Sequence, residues 1–369
     1  MKLMKTTEAV GQVLCHDITQ IIPGVKKDAV FRKGHIITKE DIPVLLSVGK
    51  DTIYIWENDE TMMHENEAAE VLYRMSACGT NCNEADAEGH CEAAESAVFG
   101  DTASKMHPSP VKEGKIEVIA DCDGLLKVDS EKLKKVNSFG EMMIATRHGN
   151  TTVKKGDKLA GTRIIPLVIK KDKLKEASNI CEDGPILDIK PFVVRKAAII
   201  TTGNEVFHGR IQDAFTPVIE KKIAEFGAQM MFHEVFDDDD KKITDGCLRA
   251  IEAGAEIVFC TGGMSVDPDD KTPLAIKNTG ARIVSYGSPV LPGAMFLLSY
   301  YDAGDRLVPI CGLPGCAMYN KRTIFDIVLP RLMARDMIYA DELAGLGEGG
   351  LCLNCDVCTF PNCGFGKGF

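Results

Sequence analysis

No run of apolar residues in this 369-residue sequence is long enough to span a bilayer, and the first ten residues lack the apolar core of a secretory signal. Basic residues are also in deficit, because 43 Lys and Arg stand against 54 Asp and Glu, which gives a net charge of −11. An acidic chain attracts neither nucleic acid nor an anionic membrane over its whole surface. We therefore expect neither as a partner, and we expect a cytoplasmic protein.

Two phosphate-binding sequence motifs are missing as well. No Gly-x-Gly-x-x-Gly follows the first strand of the predicted α/β region, and no Walker loop occurs anywhere in the chain. These absences disfavour a dinucleotide-binding fold and a P-loop NTPase. Cysteine, by contrast, is abundant, with 14 residues. In a chain of this length without a secretory signal, reduced or metal-bound thiols fit better than a disulfide framework.

Composition and hydrophobic pattern divide the chain into five predicted segments. Residues 1–75 are typical of a mixed α/β accessory domain, and residues 114–190 of a β-rich accessory domain with a linker. Residues 76–113, rich in Ala, Glu, Gly, Ser and Cys, are predicted to be a mobile insert. The insert contains Cys78, Cys82, His90 and Cys91. Their irregular spacing favours exposed thiols over a metal site. Residues 191–340 form the next domain, and residues 341–369 form a cysteine-rich tail.

Strands and helices alternate after Pro191 and predict a three-layer α/β domain with a parallel sheet. Lys196 to Thr202 is an unbroken apolar run, as expected of a strand buried on both faces. Further strands are predicted over 230–235, 256–261 and 282–286, and a helix over 241–253. Two more helices are predicted to begin at Thr216-Pro217 and Thr272-Pro273, each a cap residue followed by proline. Ligands of such a sheet collect beyond the carboxyl ends of its strands.

Four short segments at the ends of predicted strands carry glycines or acidic residues. They are Thr202-Gly203-Asn204-Glu205, Asp237-Asp238-Asp239-Asp240, Thr261-Gly262-Gly263-Met264-Ser265 and Gly312-Leu313-Pro314-Gly315. Paired glycines let a backbone approach a ligand closely and offer free N–H groups to an anion. Because Glu205, Asp238 and Asp270 would repel that anion, the pattern predicts Mg²⁺ between carboxylates and a phosphate or pyrophosphate. The alternative is that these segments are tight turns with solvated acids. For one segment alone the two interpretations are equally supported, but four segments at equivalent places in one sheet disfavour the alternative.

These residues resemble the molybdopterin-binding domain shared by MoeA-type molybdopterin molybdenumtransferases, MogA-type molybdopterin adenylyltransferases and CinA-type nucleotide pyrophosphatases. The resemblance lies in Ile200 to Val206, Gly209-Arg210-Ile211-x-Asp213, Thr261 to Val266, and Gly312 to Gly315. It covers about 140 residues and implies the same three-layer α/β fold, with a mixed α/β and β-rich N-terminal accessory region. Residues 9–14 and 32–49 also resemble the accessory domain of the MoeA type, which favours that type over a single-domain adenylyltransferase.

The resemblance implies molybdenum cofactor biosynthesis, in which adenylylated molybdopterin exchanges AMP for molybdate. It implies that Glu205 and Asp270 position a metal ion or molybdate, with Asp238 as a third candidate. The residues implied to bind the pterin cofactor are Thr202, Gly203, Thr261, Gly262, Gly263, Ser265, Gly312, Pro314 and Gly315. Thr272 is interpreted as a helix cap.

Some positions depart from the MoeA pattern and leave two other functions open. Asp267-Pro268 replaces the family's Gly-Asp, and Cys316 replaces the Asn that follows Leu-Pro-Gly. The Asp267-Pro268 change, together with the absence of the MoeA type's Met-Asp-Gly-Tyr-Ala segment from the first hundred residues, favours a non-catalytic carrier or chaperone that delivers the cofactor to a molybdoenzyme client. Asp269-Asp270-Lys271-Thr272 resembles the MogA and CinA types, so a CinA-like nucleotide pyrophosphatase is the other alternative. In each case we expect a homo-oligomer.

The tail contains Cys352, Cys355, Cys358 and Cys363, in the spacing Cys-x2-Cys-x2-Cys-x4-Cys. Four thiols this close in sequence can reach one ion or cluster. Zinc ribbons separate their paired Cys-x2-Cys knuckles by a longer loop, and the triplet here is nearer to the ferredoxin run. The sequence predicts a bound metal, either an iron–sulfur cluster or zinc, and leaves a disordered reduced tail as the alternative.

Overall fold

The computed structural model describes residues 2–22, 26–55, 59–79, 105–265, 267–268 and 270–368. Cys82, His90 and Cys91 of the predicted insert lie outside the described residues, as do Val266 and Asp269. Cys78 was expected to be an exposed thiol, but it is half-buried and disulfide-bonded. The chain forms two compact units. The first comprises Met1–Asp121, Val128–Arg147 and Lys155–Asp188, and the second comprises Cys122–Lys127, His148–Lys154 and Ile189–Phe369.

The elements up to residue 190 are short. In chain order they are β1 (Lys2–Lys5), a 3-10 turn (Thr6–Glu8), β2 (Ile18–Ile22), β3 (Lys26–Phe31), α1 (Asp41–Ser47), β4 (Thr52–Ile55), β5 (Met62–His64), α2 (Glu65–Ala77), β6 (Met106–Pro108), β7 (Lys115–Ala120), β8 (Gly124–Val128), α3 (Ser130–Ser138), β9 (Met142–Thr146), β10 (Thr151–Val153), β11 (Lys158–Ile164), β12 (Val168–Lys170), α4 (Lys171–Asn179) and β13 (Leu187–Lys190).

The first unit is the mixed α/β and β-rich region expected from the sequence. Strands β6, β7, β11 and β9 form an antiparallel sheet in that order, and helix α2 packs against β7 and β11. Helix α2 buries one face because its apolar residues recur at helical spacing, and Ala68, Leu72 and Met75 are fully buried. Two antiparallel pairs, β1 with β4 and β2 with β3, precede this sheet in the chain.

The elements from residue 196 onward belong to the second unit. They are β14 (Lys196–Thr202), α5 (Asn204–Phe207), α6 (Phe215–Ala224), β15 (Gln229–Phe236), α7 (Asp240–Glu252), β16 (Ile257–Thr261), α8 (Thr272–Asn278), β17 (Arg282–Tyr286), β18 (Leu297–Asp302), β19 (Leu307–Leu313), a 3-10 turn (Gly315–Met318), α9 (Ile324–Met333) and α10 (Ala340–Gly345). The predicted strand boundaries at β14 and β17 are confirmed.

The sheet of the second unit has six strands among the described residues, in the order β15-β14-β16-β19-β18-β17. The first four are parallel to their neighbours, whereas β18 pairs antiparallel with both β19 and β17. The sequence interpretation had no strand in the place of β18. The antiparallel direction of β18 follows from the tight turn that joins it to β19. In this turn Gly304 has φ +90°, and its N–H donates to Asp302 Oδ1 at 2.8 Å. Such a turn closes a hairpin, so its strands run in opposite directions.

Helices cover both faces of this sheet, which gives the three layers expected from the sequence. Ala197 and Ile199 of β14 belong to one buried cluster, which includes Ile219 and Ile223 of α6. Ala198 and Ile200 of the same strand belong to a second cluster, which includes residues of α7 and α8 such as Ile243 and Ile276. Because successive side chains of a strand point to opposite faces, a strand with two buried faces needs an unbroken apolar run.

The predicted caps of α6 and α8 are wrong in detail. Helix α6 begins at Phe215, and Asp213 satisfies its first amides by accepting from the N–H groups of Phe215 at 2.8 Å and Thr216 at 3.1 Å. Thr216 is therefore inside the helix. Thr272 is the first residue of α8, and its hydroxyl contacts loop residues instead of capping the helix. No helix in the described part of the chain has the length and apolar character needed to cross a membrane.

Candidate functional site

Three of the sequence-predicted segments meet at one edge of the sheet in the second unit. Strands β14, β16 and β19 are adjacent and parallel, so their carboxyl ends at Thr202, Thr261 and Leu313 lie side by side. The loops that begin with Gly203, with Gly262 and with Pro314 leave the sheet from there. This edge is the place where ligands of open parallel sheets bind. We refer to these three loops as the edge loops.

Two buried threonine hydroxyls hold the first two edge loops together. Thr202 Oγ1 donates to the carbonyl oxygen of Thr261 at 3.1 Å and lies 3.0 Å from Thr272 Oγ1. Thr272 Oγ1 donates to the carbonyl oxygen of Gly262 at 2.9 Å. Thr202 and Thr272 are 4% and 0% exposed, so their hydroxyls act within the protein. These hydrogen bonds fix the position of the Gly262-Gly263 turn.

Three of the predicted glycines are required by the packing of the edge itself. Gly262 has φ +83°, and a Cβ there would lie 2.1 Å from the carbonyl oxygen of Thr202. A Cβ on Gly263, with φ +54°, would lie 2.8 Å from Thr272 Oγ1. Gly312 lies within β19, where a Cβ would meet the Met264 sulfur at 2.5 Å. Larger residues would therefore disturb the protein whether or not a ligand is bound.

Gly315 differs from these glycines. It is exposed, its φ is outside the left-handed region, and a Cβ built on it meets nothing within 4 Å. Ser265 is also exposed, whereas Pro314 is buried. Gly203 has φ +132°, and its Cβ would lie 3.6 Å from Glu205 Oε2. A substitution at Gly315 therefore adds atoms to the solvent-exposed space beside the edge loops without disturbing the packing of the protein.

The acidic candidates surround this edge. Glu205 is exposed in α5, directly after the first edge loop. Asp238 follows β15, and its Oδ2 accepts a hydrogen bond from the N–H of Asn204 at 3.1 Å, which brings the two predicted segments together. Asp270 accepts from the N–H of Asp267 through Oδ2 at 3.3 Å. Among the described residues, no three His, Cys, Asp or Glu side chains are grouped closely enough to hold a metal ion.

Sequence reasoning missed Tyr286, which lies beside one of these acids. Its hydroxyl donates to the carbonyl oxygen of Met264 at 3.1 Å, so it supports the Gly262-to-Ser265 loop. Burial, together with the negative charge of Asp270, raises the pKa of Tyr286. One sequence signal could have identified Tyr286 as a site residue: it is the last residue of the strand predicted over 282–286.

Sequence reasoning also missed a second polar cluster, at the pairing of β14 with β15. The hydroxyls of Thr201 and Thr216 donate to Asp213 Oδ2 at 2.9 and 2.5 Å. His233 Nε2 lies 3.2 Å from both hydroxyls. Burial alone would raise the pKa of Asp213, but the hydrogen bonds from Thr216 and Thr201 outweigh it and lower that pKa. Because Asp213 also caps α6, this cluster anchors the segment between the first edge loop and α6.

The four tail cysteines lie elsewhere in the second unit. They line a single cavity of about 230 Å³ together with Lys321, Arg322 and several apolar side chains. Cys352 and Cys363 are half-buried against the core, and Cys355 and Cys358 are exposed. All four are free thiols. The structure therefore gathers the predicted ligands around one space, although within the described residues no three of them form a ready metal site.

Comparison with known proteins supports the assignment of the second unit. Residues 198–334 match the family described as "Probable molybdopterin binding domain", and residues 3–57 match a domain of unknown function. A Bacillus velezensis protein that carries the name competence-damage inducible protein is 29% identical over 90 residues, 24% of this chain and 21% of that protein. The molybdopterin molybdenumtransferase of Staphylococcus epidermidis is 26% identical over 156 residues, 40% of this chain and 37% of that enzyme.

The chain thus spans about a fifth of the length of the first relative and little more than a third of the second. Among solved structures, the tungsten cofactor synthesizing protein MoaB from Pyrococcus furiosus is 18% identical, with a TM-score of 0.30, over 38% of this chain and 89% of that one.

The fold and its edge define a class: a three-layer α/β domain with glycine-containing loops at the carboxyl ends of neighbouring parallel strands. Within that class, residues 198–334 match the family model described as "Probable molybdopterin binding domain".

Proposed function

We propose that this protein binds molybdopterin, or its adenylylated form, at the edge loops of the second unit. The observation that carries the proposal is the convergence of three loops on one edge of a sheet in a domain that matches the molybdopterin-binding family. The amides of Gly262 and Gly263 and the hydroxyl of Ser265 contact the phosphate in this proposal. The exposed Gly315 turn lies against the pterin.

The reaction that we propose is insertion of molybdate into the pterin dithiolate, with release of AMP from the adenylylated form. Cleavage of a phosphoanhydride develops negative charge, which must be neutralised at the reacting phosphate. Mg²⁺ typically binds proteins through one or two carboxylates and completes its shell with phosphate oxygens and water. Glu205 and Asp270 are the carboxylates that we assign to this role, and Asp238 holds the first edge loop through its hydrogen bond from Asn204.

A non-catalytic carrier that delivers the cofactor to a molybdoenzyme client is the second candidate. Asp267-Pro268 stands where the resembled transferases have Gly-Asp, and Asp267 is hydrogen-bonded to Asp270. These contacts occupy the acid that the transferase proposal needs. A CinA-like nucleotide pyrophosphatase is the third candidate, because Asp269-Asp270-Lys271-Thr272 resembles the CinA type. For all three we propose a cytoplasmic homo-oligomer, and for the tail a bound metal, either iron–sulfur or zinc.

The test is to incubate the full chain with adenylylated molybdopterin, Mg²⁺ and molybdate and to measure AMP. We expect AMP release that needs Mg²⁺, and a loss of at least tenfold in Glu205→Gln. Glu252→Gln is the matched control, because Glu252 is exposed at the end of α7, next to the opposite edge of the sheet. Ligand binding without AMP release would favour the carrier, and turnover of ADP-ribose would favour the pyrophosphatase. Full activity of Glu205→Gln would remove the metal role of Glu205.

A further inference from the structure

The cysteine tail is folded onto the second unit by regular backbone contacts. The N–H of Cys352 donates to the carbonyl oxygen of Leu291 at 2.8 Å, and the N–H of Leu291 donates to that of Gly350 at 2.8 Å. Phe365, near the end of the tail, is 5% exposed and belongs to the main buried cluster. Cys352 and Cys363 pack against the same cluster. The cysteines are therefore held by the domain core on both sides of the exposed pair.

The walls of the cavity come from two stretches of tail that approach each other closely. Gly349 has φ +78°, and a Cβ there would lie 2.8 Å from the carbonyl oxygen of Gly364. Both glycines line the cavity. A side chain at position 349 would force the two stretches apart, so glycine at this position allows the close approach of the stretches that carry Cys352 and Cys363.

The cavity is larger than the space that a single metal ion fills. A zinc ion bonds four sulfurs at about 2.3 Å in a tetrahedron, so those sulfurs stand roughly 3.8 Å apart and leave no space between them. The cavity here measures about 230 Å³. An apolar cavity of about 150 Å³ already accommodates benzene. All four cysteines line this one cavity, and within the described residues no three of them already form a site for a single ion.

Two basic residues before α9 lie on the cavity wall. Lys321 donates to the backbone carbonyl of Asp356, between the two exposed cysteines, at 3.2 Å. Arg322 lies on the cavity wall together with Cys358, and its guanidinium lies 5.0 Å from the centre of the Phe360 ring. A cluster bound by four thiolates carries net negative charge, and fixed cations beside it offset part of that charge. The apolar side chains of Leu351, Phe360 and Phe365 form much of the remaining wall.

We propose that Cys352, Cys355, Cys358 and Cys363 together bind one iron–sulfur cluster of the four-iron type. Each thiol releases its proton to solvent, and the resulting thiolate bonds one iron. Four ligands that each bond a different iron must be spread around the cluster, which matches four thiols spread around one cavity. This cluster site is separate from the edge loops and does not depend on pterin binding.

The experiment is to purify the full chain without oxygen, to supply ferric iron, sulfide and a dithiol that reduces half of that iron, and to remove the excess. We expect about four iron and about four acid-labile sulfide per chain, with visible absorption that dithionite bleaches. Zinc in place of iron, two irons per chain, or metal-free protein with four alkylatable tail thiols would each overturn the proposal. The wild-type measurement decides this without any variant.

Two variants locate the cluster within the chain. Cys355→Ser and Cys358→Ser, made together, should lose most of the bound iron, because both thiols line the cavity and are exposed. Cys122→Ser is the matched control, since Cys122 is a partly exposed cysteine outside the tail. The control should keep its full iron content. Iron that stays in the double variant, or leaves in the control, would place the cluster elsewhere and contradict the proposal.

Discussion

Replacing Gly315 by alanine separates ligand contact from protein stability at the edge loops. A Cβ at 315 meets nothing within 4 Å, and the φ of this residue is open to alanine. A compatible Gly-to-Ala change reduces the freedom of the unfolded chain and stabilises a protein by about 0.4–1 kcal/mol. We therefore expect the urea midpoint of Gly315→Ala to stay constant or to rise.

Ligand binding should respond in the opposite direction. If the Gly315 turn lies against the pterin, the added methyl group displaces the ligand from its contacts. Loss of one hydrogen bond with its partner left unsatisfied costs about 1–3 kcal/mol, which corresponds to a roughly 5- to 150-fold weaker affinity. Calorimetric titration with molybdopterin, in wild type and in the variant, measures this change.

Gly312→Ala is the contrasting variant. Its Cβ would lie 2.5 Å from the sulfur of Met264, inside the packed sheet, so the variant should be destabilised by about 1–3 kcal/mol. Any loss of pterin affinity in Gly312→Ala measures how much destabilisation of the protein alone weakens binding. Unchanged pterin affinity in a stable Gly315→Ala protein would refute the contact that we assign to this turn.

Two further predictions concern stability in the second unit. Thr261 is fully buried, and its hydroxyl has no partner among the described residues. Thr261→Val should therefore leave the unfolding midpoint constant or raise it. A loss of more than about 1 kcal/mol in the free energy of unfolding would contradict the absence of a partner. Burial alone would raise the pKa of Asp336, but hydrogen bonds from Lys190 and Lys127 lower it to about 2. The stability from this depressed pKa is present above the ordinary aspartate value and is lost as pH falls through about 2. The free energy of unfolding of Asp336→Asn should therefore depend less on pH between about pH 4 and 2. Because Arg331 loses part of its charge compensation, the variant should also lose about 3–5 kcal/mol of that free energy at neutral pH. An acid unfolding curve like that of the wild type would contradict this.

The parallel core of the second unit was predictable because its constraints are local in sequence. Strand β14 is recognisable as an unbroken apolar run, since both of its faces are buried. The placement of Thr202 and Thr261 at neighbouring strand ends follows from the sheet rule alone. Strand β18 was not predictable in the same way. Its antiparallel direction depends on the turn at Gly304, which joins it to β19 without an intervening helix, and on pairing with β17, the strand before it in the chain.

The candidate site was predictable in position and less so in its contacts. Glycines at 262 and 263 were interpreted as places for a ligand, but their nearest neighbours are Thr202 and Thr272 of the protein itself. Sequence spacing does not reveal such contacts, because they depend on how α8 meets the strand ends. Tyr286 was not predicted for the same reason, because it ends β17 whereas its hydrogen-bond partner Met264 lies in the loop after β16.

The most direct test of the account is a calorimetric titration of the purified full chain with molybdopterin and, separately, with NAD. We expect saturable binding of the pterin and no saturable binding of the dinucleotide, because the edge loops converge in a domain that matches the molybdopterin-binding family model and no dinucleotide motif follows its first strand. Absence of pterin binding, or saturable binding of NAD, would contradict it.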